Sequence, residues 1–423
     1  MDLLGDLGAT DQLTSTRAEN AVLKDKVKQL EMKCRILSVE NESLKTEVEM
    51  YRKEATASST SDAGGESKQA SLVEDHSDHF VQAGNGEYAQ KKEITLDNLH
   101  AGMNISCCAL SNDDTILATG GADKTLAFFQ WGGAFSGKDV VQEAIHLTCD
   151  APVISVNFAI KKRQPFVAAG CMDGSVKLWK YDTYEGLAAK EVGKGMIQHK
   201  RYVRNVAWAS DENLMASASA DGVVQVHRVV WDGLSENVSV EKVETLNLLG
   251  AVEALCFHRK KLICYARGAP YLLYFDLKQN FKQSKINLNK GQPGYAAGFD
   301  EHVSFAVMDI AAHGDYLALA TDTSRNIIME FETGIQVRDL YGHKNDGFSQ
   351  PKIAWSKNGQ YIYGNTQDEA MVCVWDVSGS TIVQKLENVH TQTIRDLCSS
   401  QLTDTLVTTS FDKQTNLWFA GSE

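Results

Sequence analysis

A repeating pattern of apolar and polar positions extends over residues 17–54. Apolar residues return every three or four positions, and the segment contains no glycine or proline. This period predicts one long helix with a narrow apolar seam, which is typical of a coiled coil over residues 16–54. The seam positions are Leu23, Val27, Leu30, Cys34, Leu37, Asn41, Leu44 and Val48.

The composition of this seam predicts a parallel dimer. Leucine occupies the d positions and valine two of the a positions, and Asn41 at an a position pairs best with its own equivalent. In a parallel homodimer, all but one of the facing charge pairs are attractive: Glu19 with Lys24, Lys26 with Glu31, Lys33 with Ser38, Glu40 with Lys45 and Glu47 with Arg52. Packing of the helix against its own chain, or pairing with a different chain, stays open. The upstream segment is acidic, so the zipper is not expected to contact DNA.

The segments on either side of this helix lack any such period. Residues 1–15 are expected to be a disordered N-terminus, and residues 55–90, rich in Ser, Gly, Ala and acidic residues, a flexible linker. His76 and His79 in the linker could in principle bind a metal ion. Two histidines in a polar linker are more simply explained as solvated side chains, so we predict no metal site.

From residue 91 the pattern changes to short alternating apolar runs separated by polar turns, which predicts strands. Six copies share one order: an apolar strand, a small residue, an aspartate, a tight turn and a second alternating strand. A further unit, residues 252–277, keeps the strand rhythm without the turn aspartate. The aspartates of the six copies are Asp123, Asp173, Asp221, Asp322, Asp368 and Asp412.

These units resemble the repeats of the WD-repeat family, with LWK at 178–180, VWD at 374–376 and a Gly-His pair at 342–343. The resemblance covers residues 91–423 and implies an all-β fold, a seven-bladed β-propeller, separate from the N-terminal coiled coil. Residues 91–97 alternate like a strand and are expected to supply the outer strand of the last blade, which would close the ring.

The last repeat contains a histidine, a serine and an aspartate, the residue types of a hydrolase triad. The resemblance implies instead a hydrogen-bonded network that stabilises the blade, formed by His390, Ser410, Asp412 and Trp418. A triad would account for one copy only, because the serine position also holds Gly121, Cys171, Ala320 and Thr366. We therefore predict no catalytic residue, no enzymatic activity and no cofactor.

The resemblance also places the turns around the repeated aspartates and the loops around the Gly-His motif on one face of the disc. That face would be cationic on an acidic protein, which favours proteins or acidic or phosphorylated peptides as partners. Ordinary solvated loop charges are the alternative. The predicted partner-binding residues are Lys124, Met172, Arg201, Tyr202, Lys344, Phe348, Gln367, Phe411 and Lys413.

The formal net charge of −13 argues against general nucleic-acid binding. Two basic runs, 161–163 and 259–261, are expected in turns on the opposite face, where RNA or an anionic membrane surface could meet them. No apolar run is long enough to span a bilayer. The start of the chain lacks a signal-peptide pattern, which predicts a cytoplasmic protein and leaves a nuclear location open.

Taken as a whole, the sequence predicts a non-enzymatic scaffold that dimerises through its coiled coil and binds partner proteins on the propeller face. It would act within a multiprotein complex of the trafficking, autophagy or cytoskeletal type. The alternative is a chromatin- or RNA-associated WD-repeat subunit that uses the basic turns.

Replacing Leu30 and Leu37 with polar residues should convert a dimer into a monomer, because the two helices would lose apolar contacts at the centre of the seam. Sedimentation of the full chain before and after replacement measures the change. A monomeric unsubstituted protein would contradict the predicted dimer.

Overall fold

The computed structural model describes residues 87–130, 144–160, 165–183, 187–210, 213–231, 238–289, 303–346, 349–367, 370–388 and 390–420. The predicted coiled coil with all of its seam residues, the predicted disordered segment 1–15 and most of the predicted linker lie outside these residues. Within them, the chain forms seven antiparallel sheets of four strands each. The sheets are the blades of a propeller, and the predicted all-β fold is confirmed.

The first strand, β1 (Ala89–Leu96), belongs to the last blade. Blade 1 contains β2 (Ile105–Leu110), β3 (Ile116–Gly121), β4 (Thr125–Gln130) and β5 (Ile145–Thr148). Blade 2 contains β6 (Val153–Phe158), β7 (Phe166–Cys171), β8 (Val176–Asp182) and β9 (Ala188–Val192). Blade 3 contains β10 (Val203–Trp208), β11 (Leu214–Ser219), β12 (Val223–Val230) and β13 (Ser239–Asn247).

Blade 4 contains β14 (Val252–His258), β15 (Lys261–Ala266), β16 (Tyr271–Asp276), a 3-10 turn (Leu277–Gln279) and β17 (Lys282–Asn287). Blade 5 contains β18 (Val307–His313), β19 (Tyr316–Thr321), β20 (Asn326–Glu330) and β21 (Gln336–Leu340). Blade 6 contains β22 (Ile353–Trp355), β23 (Tyr361–Asn365), β24 (Val372–Asp376) and β25 (Thr381–Leu386). Blade 7 contains β26 (Ile394–Ser399), β27 (Leu406–Ser410), β28 (Thr415–Ala420) and β1.

The first strand of each blade lines the centre of the ring. Each of these inner strands packs against the inner strands of both neighbouring blades, and the inner strand of blade 1 packs against that of blade 7. The ring is therefore closed. Residues 252–277, which lack the turn aspartate, contribute three strands of blade 4, as the sequence predicts.

Small residues in the second strand of a blade let the next blade approach closely. A Cβ added at Gly120 would lie 2.6 Å from the side chain of Val153 on blade 2. A Cβ added at Gly170 would lie 2.6 Å from the side chain of Val203 on blade 3. These contacts give a physical reason for the small residues in the repeat, because any larger side chain would push two blades apart.

The strand Ala89–Leu96 closes the ring by pairing antiparallel with Thr415–Ala420. The Thr95 hydroxyl donates to Asn416 Oδ1 at 2.8 Å, and the Ala89 amide donates to the Tyr363 hydroxyl at 2.9 Å. The predicted role of residues 91–97 as the outer strand is confirmed. The strand starts earlier than predicted, because Ala89 and Gln90 belong to it and not to the linker.

Deleting residues 89–96 should destabilise the whole ring by about 3 kcal/mol, because the partly buried Ile94 and Leu96 pack against the apolar core between blades 7 and 1 and the hydrogen bonds to Thr415–Ala420 are lost. Thermal unfolding of the full chain measures the effect. The control is Lys92→Ala, which removes an exposed side chain from the same strand. An unchanged unfolding midpoint after the deletion would mean that this strand does not stabilise the ring.

Candidate functional site

The loop that leads into each blade and the turn between its second and third strands meet on one face, here called the upper face. The Met172 amide donates to Pro152 O at 2.9 Å, and the Phe411 amide donates to Thr393 O at 3.2 Å. Two further pairs repeat this bond: Ala220 with Tyr202 and Gln367 with Lys344. Backbone hydrogen bonds therefore hold these predicted partner-binding residues on the upper face.

The upper face displays most of the predicted partner-binding residues to solvent. The exposed ones are Lys124, Met172, Arg201, Lys344 and Lys413, and the partly buried ones are Tyr202, Gln367 and Phe411. Phe348 lies outside the described residues. Lys124 (φ +66°) and Lys413 (φ +74°) occupy the same left-handed turn position in blades 1 and 7, so both project from equivalent places on the ring.

Arginine side chains lie over aromatic rings at three places on the upper face. The pairs are Arg201 with Tyr202 at 5.6 Å, Arg325 with Phe305 at 5.8 Å and Arg395 with Phe411 at 4.9 Å. Such cation–π contacts hold a guanidinium in place, and each of these arginines also donates a hydrogen bond to a neighbouring group. The predicted partner-binding residues include both members of the first pair and only Phe411 of the third, because Arg395 lies in the inner strand of the blade and not in a turn.

A cavity of about 320 Å³ lies between the inner strands, and the partly buried Lys352 is among the residues that line it. Lys352 Nζ lies 3.7 Å from carboxylate oxygens of both Asp309 and Asp396. Burial disfavours the charge of Lys352, but the two carboxylates outweigh burial and raise its pKa. Asp396 also accepts from the Cys108 amide at 2.9 Å. This group joins blades 5, 6, 7 and 1.

A second charged group joins blades 3, 4 and 5. The buried carboxylate of Glu253 accepts from Arg267 Nε at 2.7 Å and forms an ion pair with Arg204. Arg267 Nη1 also lies 3.8 Å from Asp322 Oδ2. The carboxylate of Glu253 raises the pKa of Arg267. No local motif reveals either group, because most of the partners, including Arg204 and Asp322, stand on other blades and meet only in the folded ring.

Asp322 does not occupy the turn position that the sequence assigns to it. Its amide donates to Ala306 O at 3.1 Å, the bond that Ala122, not Asp123, makes to Asn104 O in blade 1. Asp322 Oδ1 also accepts from the Ala306 amide at 2.7 Å. The turn of blade 5 is one residue longer than that of blade 1. Sequence spacing therefore aligned Asp322 with Asp123, whereas in the structure Asp322 occupies the position of Ala122.

The network of blade 7 is built partly as predicted. His390 Nδ1 lies 2.9 Å from Asp412 Oδ2, and its Nε2 lies 3.0 Å from the Thr408 hydroxyl. Trp418 Nε1 donates to the same hydroxyl at 3.3 Å. The Thr408 hydroxyl therefore connects His390 to Trp418. The residue predicted for this role was Ser410. Blades 1 and 3 repeat this arrangement, with Thr119 beside His100 and Ser217 beside His199.

Ser410 satisfies backbone groups instead. Its hydroxyl donates to Gln392 O at 2.8 Å and accepts from the Asp412 amide at 3.2 Å. Both ring nitrogens of His390 are bonded to Asp412 and Thr408, so His390 is not placed to take a proton from Ser410. The geometry of these residues is that of a satisfied structural network.

No group of three His, Cys, Asp or Glu side chains with metal-binding geometry occurs among the residues that the structure describes. The same residues include no helix that is long and apolar enough to cross a membrane.

The comparison with protein families identifies WD domain, G-beta repeats at residues 93–130, 146–180 and 191–228, which correspond to blades 1 to 3. A search of the curated proteins found no significant match to the chain. The family comparison thus shows WD repeats in the first three blades, and the closed ring of seven four-stranded blades is the fold of a WD-repeat β-propeller. WD-repeat propellers are generally non-enzymatic scaffolds for protein interactions.

One histidine on the loop leading into blade 6 is buried without a hydrogen-bond partner among the described residues. Neither ring nitrogen of His343 has one, and the ring packs edge-on against Trp375 with centroids 5.1 Å apart. Burial lowers the pKa of His343 from its ordinary value of 6.5 to about 4. Between these values the unfolded chain binds the proton more readily, so stability falls as the pH drops from 6.5 towards 4.

Replacing His343 with phenylalanine should therefore make the protein less sensitive to acid. At pH 5 the histidine is protonated in the unfolded chain but mostly neutral in the folded protein, which lowers the free energy of unfolding by about 2 kcal/mol relative to pH 7. Phenylalanine binds no proton in either state, so the variant lacks this loss. Denaturant unfolding at both pH values measures the difference, with His146→Gln, a change of an exposed ring, as the control. The same pH dependence in wild type and His343→Phe would contradict the assignment.

Proposed function

We propose that this protein is a non-enzymatic scaffold that binds partner proteins or acidic peptides on the upper face of its propeller. The observation that carries the proposal is that the charged side chains of the cavity and those of the upper face are in different environments. The charges around the central cavity are paired with one another, whereas Lys124, Arg201, Lys344 and Lys413 on the upper face are exposed. Exposed cations and arginine–aromatic pairs are the groups that recognition surfaces use.

The proposed scaffold works as a dimer within a multiprotein complex. The seam of residues 16–54 is the proposed dimerisation element, and residues 55–90 include the linker that separates it from the propeller. Two propellers on one dimer would engage a partner with two binding sites more tightly than one propeller would, because the second contact is intramolecular. We place the protein in the cytoplasm, in a complex of the trafficking, autophagy or cytoskeletal type.

The contacts of one basic turn favour this proposal over a chromatin- or RNA-associated subunit. Arg259 forms an ion pair with Asp315, and Lys261 Nζ lies 3.0 Å from Glu332 Oε2. Both cations also lie over the ring of Phe331. Acidic side chains thus partly neutralise this turn, and a phosphate backbone would have to compete with them. The other basic run, 161–163, lies outside the described residues.

The proposal predicts that partner capture depends on upper-face cations. The full chain carrying Arg201→Glu and Lys413→Glu should retain less than about a tenth of the partner that the unsubstituted chain captures, because two attractive charges become repulsive. Affinity capture followed by quantification of the bound proteins measures this loss. The matched control, Lys357→Glu, reverses an exposed charge in a turn between the first and second strands, on the opposite face. Equal capture by all three proteins would show that the upper face is not the binding surface.

A further inference from the structure

Exposed apolar side chains are concentrated on the upper face. Among the described residues, nine large apolar side chains are exposed, and more than half of them stand in upper-face loops and turns. Those in the upper face are Met103, Met172, Met196, Leu249 and Tyr341. A soluble ring gains nothing from holding apolar side chains in water on one face, so their clustering indicates a contact surface.

Three of these five residues, including the two most exposed, lie above blades 2, 3 and 4. Leu249 is 91% exposed, Met196 is 58% exposed and Met172 is 49% exposed. Their loops are connected by backbone hydrogen bonds: His199 N donates to Gly174 O, Ala220 N to Tyr202 O and Leu248 N to Gly222 O. These bonds join the three blades into one continuous surface. We call Met172, Met196, Arg201, Tyr202 and Leu249 the methionine–leucine surface.

The charge on and around the methionine–leucine surface is mainly positive. Lys194, Lys200 and Arg201 are exposed there, and the Arg201 guanidinium lies over the Tyr202 ring. Of the two exposed carboxylates nearby, one is neutralised by a lysine and the other accepts hydrogen bonds within its own turn, so three exposed cations stand against one carboxylate that has no cationic partner. Asp150 forms an ion pair with Lys177 at 2.8 Å, and Asp173 accepts from the Ser175 amide at 3.0 Å. On a protein of net charge −13, this local excess of cations selects an acidic ligand.

We propose that the methionine–leucine surface is the docking site for an acidic, apolar peptide segment of a partner protein. This inference rests on the proposed scaffold function and locates its site above blades 2 to 4. Apolar side chains of the peptide pack on Met172, Met196 and Leu249, and its carboxylates face Lys200 and Arg201. Methionine suits this task because its unbranched side chain adapts to differently shaped ligands. Tyr202 and Arg201 supply the rigid aromatic and arginine anchors.

Carboxylates fit this surface better than phosphate groups do. Phosphate recognition favours several arginines whose paired donors converge on one point. The arginines nearest the centre of the ring already have partners, since Glu253 binds Arg204 and Arg267, and Gln350 accepts from Arg395. The methionine–leucine surface instead combines one arginine with lysines and wide apolar contacts.

The test selects short peptides from a displayed random library on the full chain. We expect the enriched peptides to combine Asp or Glu with Leu, Ile, Phe or Met. Fluorescence polarisation then measures the affinity of the most enriched peptides.

The double variant Met172→Ser, Leu249→Ser should weaken binding at least about tenfold, and Arg201→Glu should do the same at low salt. The matched control, Ile160→Ser with Leu402→Ser, removes two exposed apolar side chains elsewhere and should leave the affinity unchanged. Thermal unfolding checks that every variant is folded.

Three results would overturn the inference. One is enrichment of peptides without acidic and apolar residues, and another is binding that requires a phosphorylated residue. The third is binding that survives the double variant but is lost with Phe411→Ala and Lys413→Glu, which would move the site to blade 7. In that case the proposed scaffold function stands and only the docking site is wrong. A protein that captures no partner through any upper-face residue would instead contradict the proposed function itself.

Discussion

The pairing of Ala89–Leu96 with Thr415–Ala420 joins the two ends of the propeller domain and closes its ring. Without it, the third strand of blade 7 would present an open sheet edge, and the apolar core between blades 7 and 1 would lose Ile94 and Leu96. Every other blade consists of consecutive strands, so this pairing is the long-range contact that completes the architecture. The cavity and the upper face exist as continuous features only in the closed ring.

Neighbouring blades are held together by close packing and by buried charges. Gly120 and Gly170 let blades approach until side chains of the next inner strand fill the space above them. Lys352 and Glu253 each bind partners on adjacent blades, and loss of either would leave charges buried without compensation. The polar groups of the cavity and of the His390 network are thus bonded to one another and stabilise the fold.

The upper face displays two kinds of side-chain grouping in different sectors. Above blades 2 to 4, exposed methionine and leucine side chains stand beside lysines and Arg201. Near blades 5 and 7, Arg325 and Arg395 lie over aromatic rings and are already engaged by neighbouring side chains. The same backbone scaffold thus supports an adaptable apolar sector and a more rigid arginine–aromatic sector. A dimer would present both sectors twice, which suits a scaffold within a larger complex.

Local spacing in the sequence determined the repeat and the closing strand, because both depend on strand period and turn length. The pairing of His390 with Asp412 and the shared face of Met172 and Lys413 followed from the resemblance to the WD-repeat family. Thr408 and Ser410 are two residues apart and point to the same side of their strand, so only the tertiary register could assign the network hydroxyl to Thr408. The charge groups of Lys352 and Glu253 were likewise decided by the tertiary structure, since their partners stand on separate blades and no local pattern brings them together.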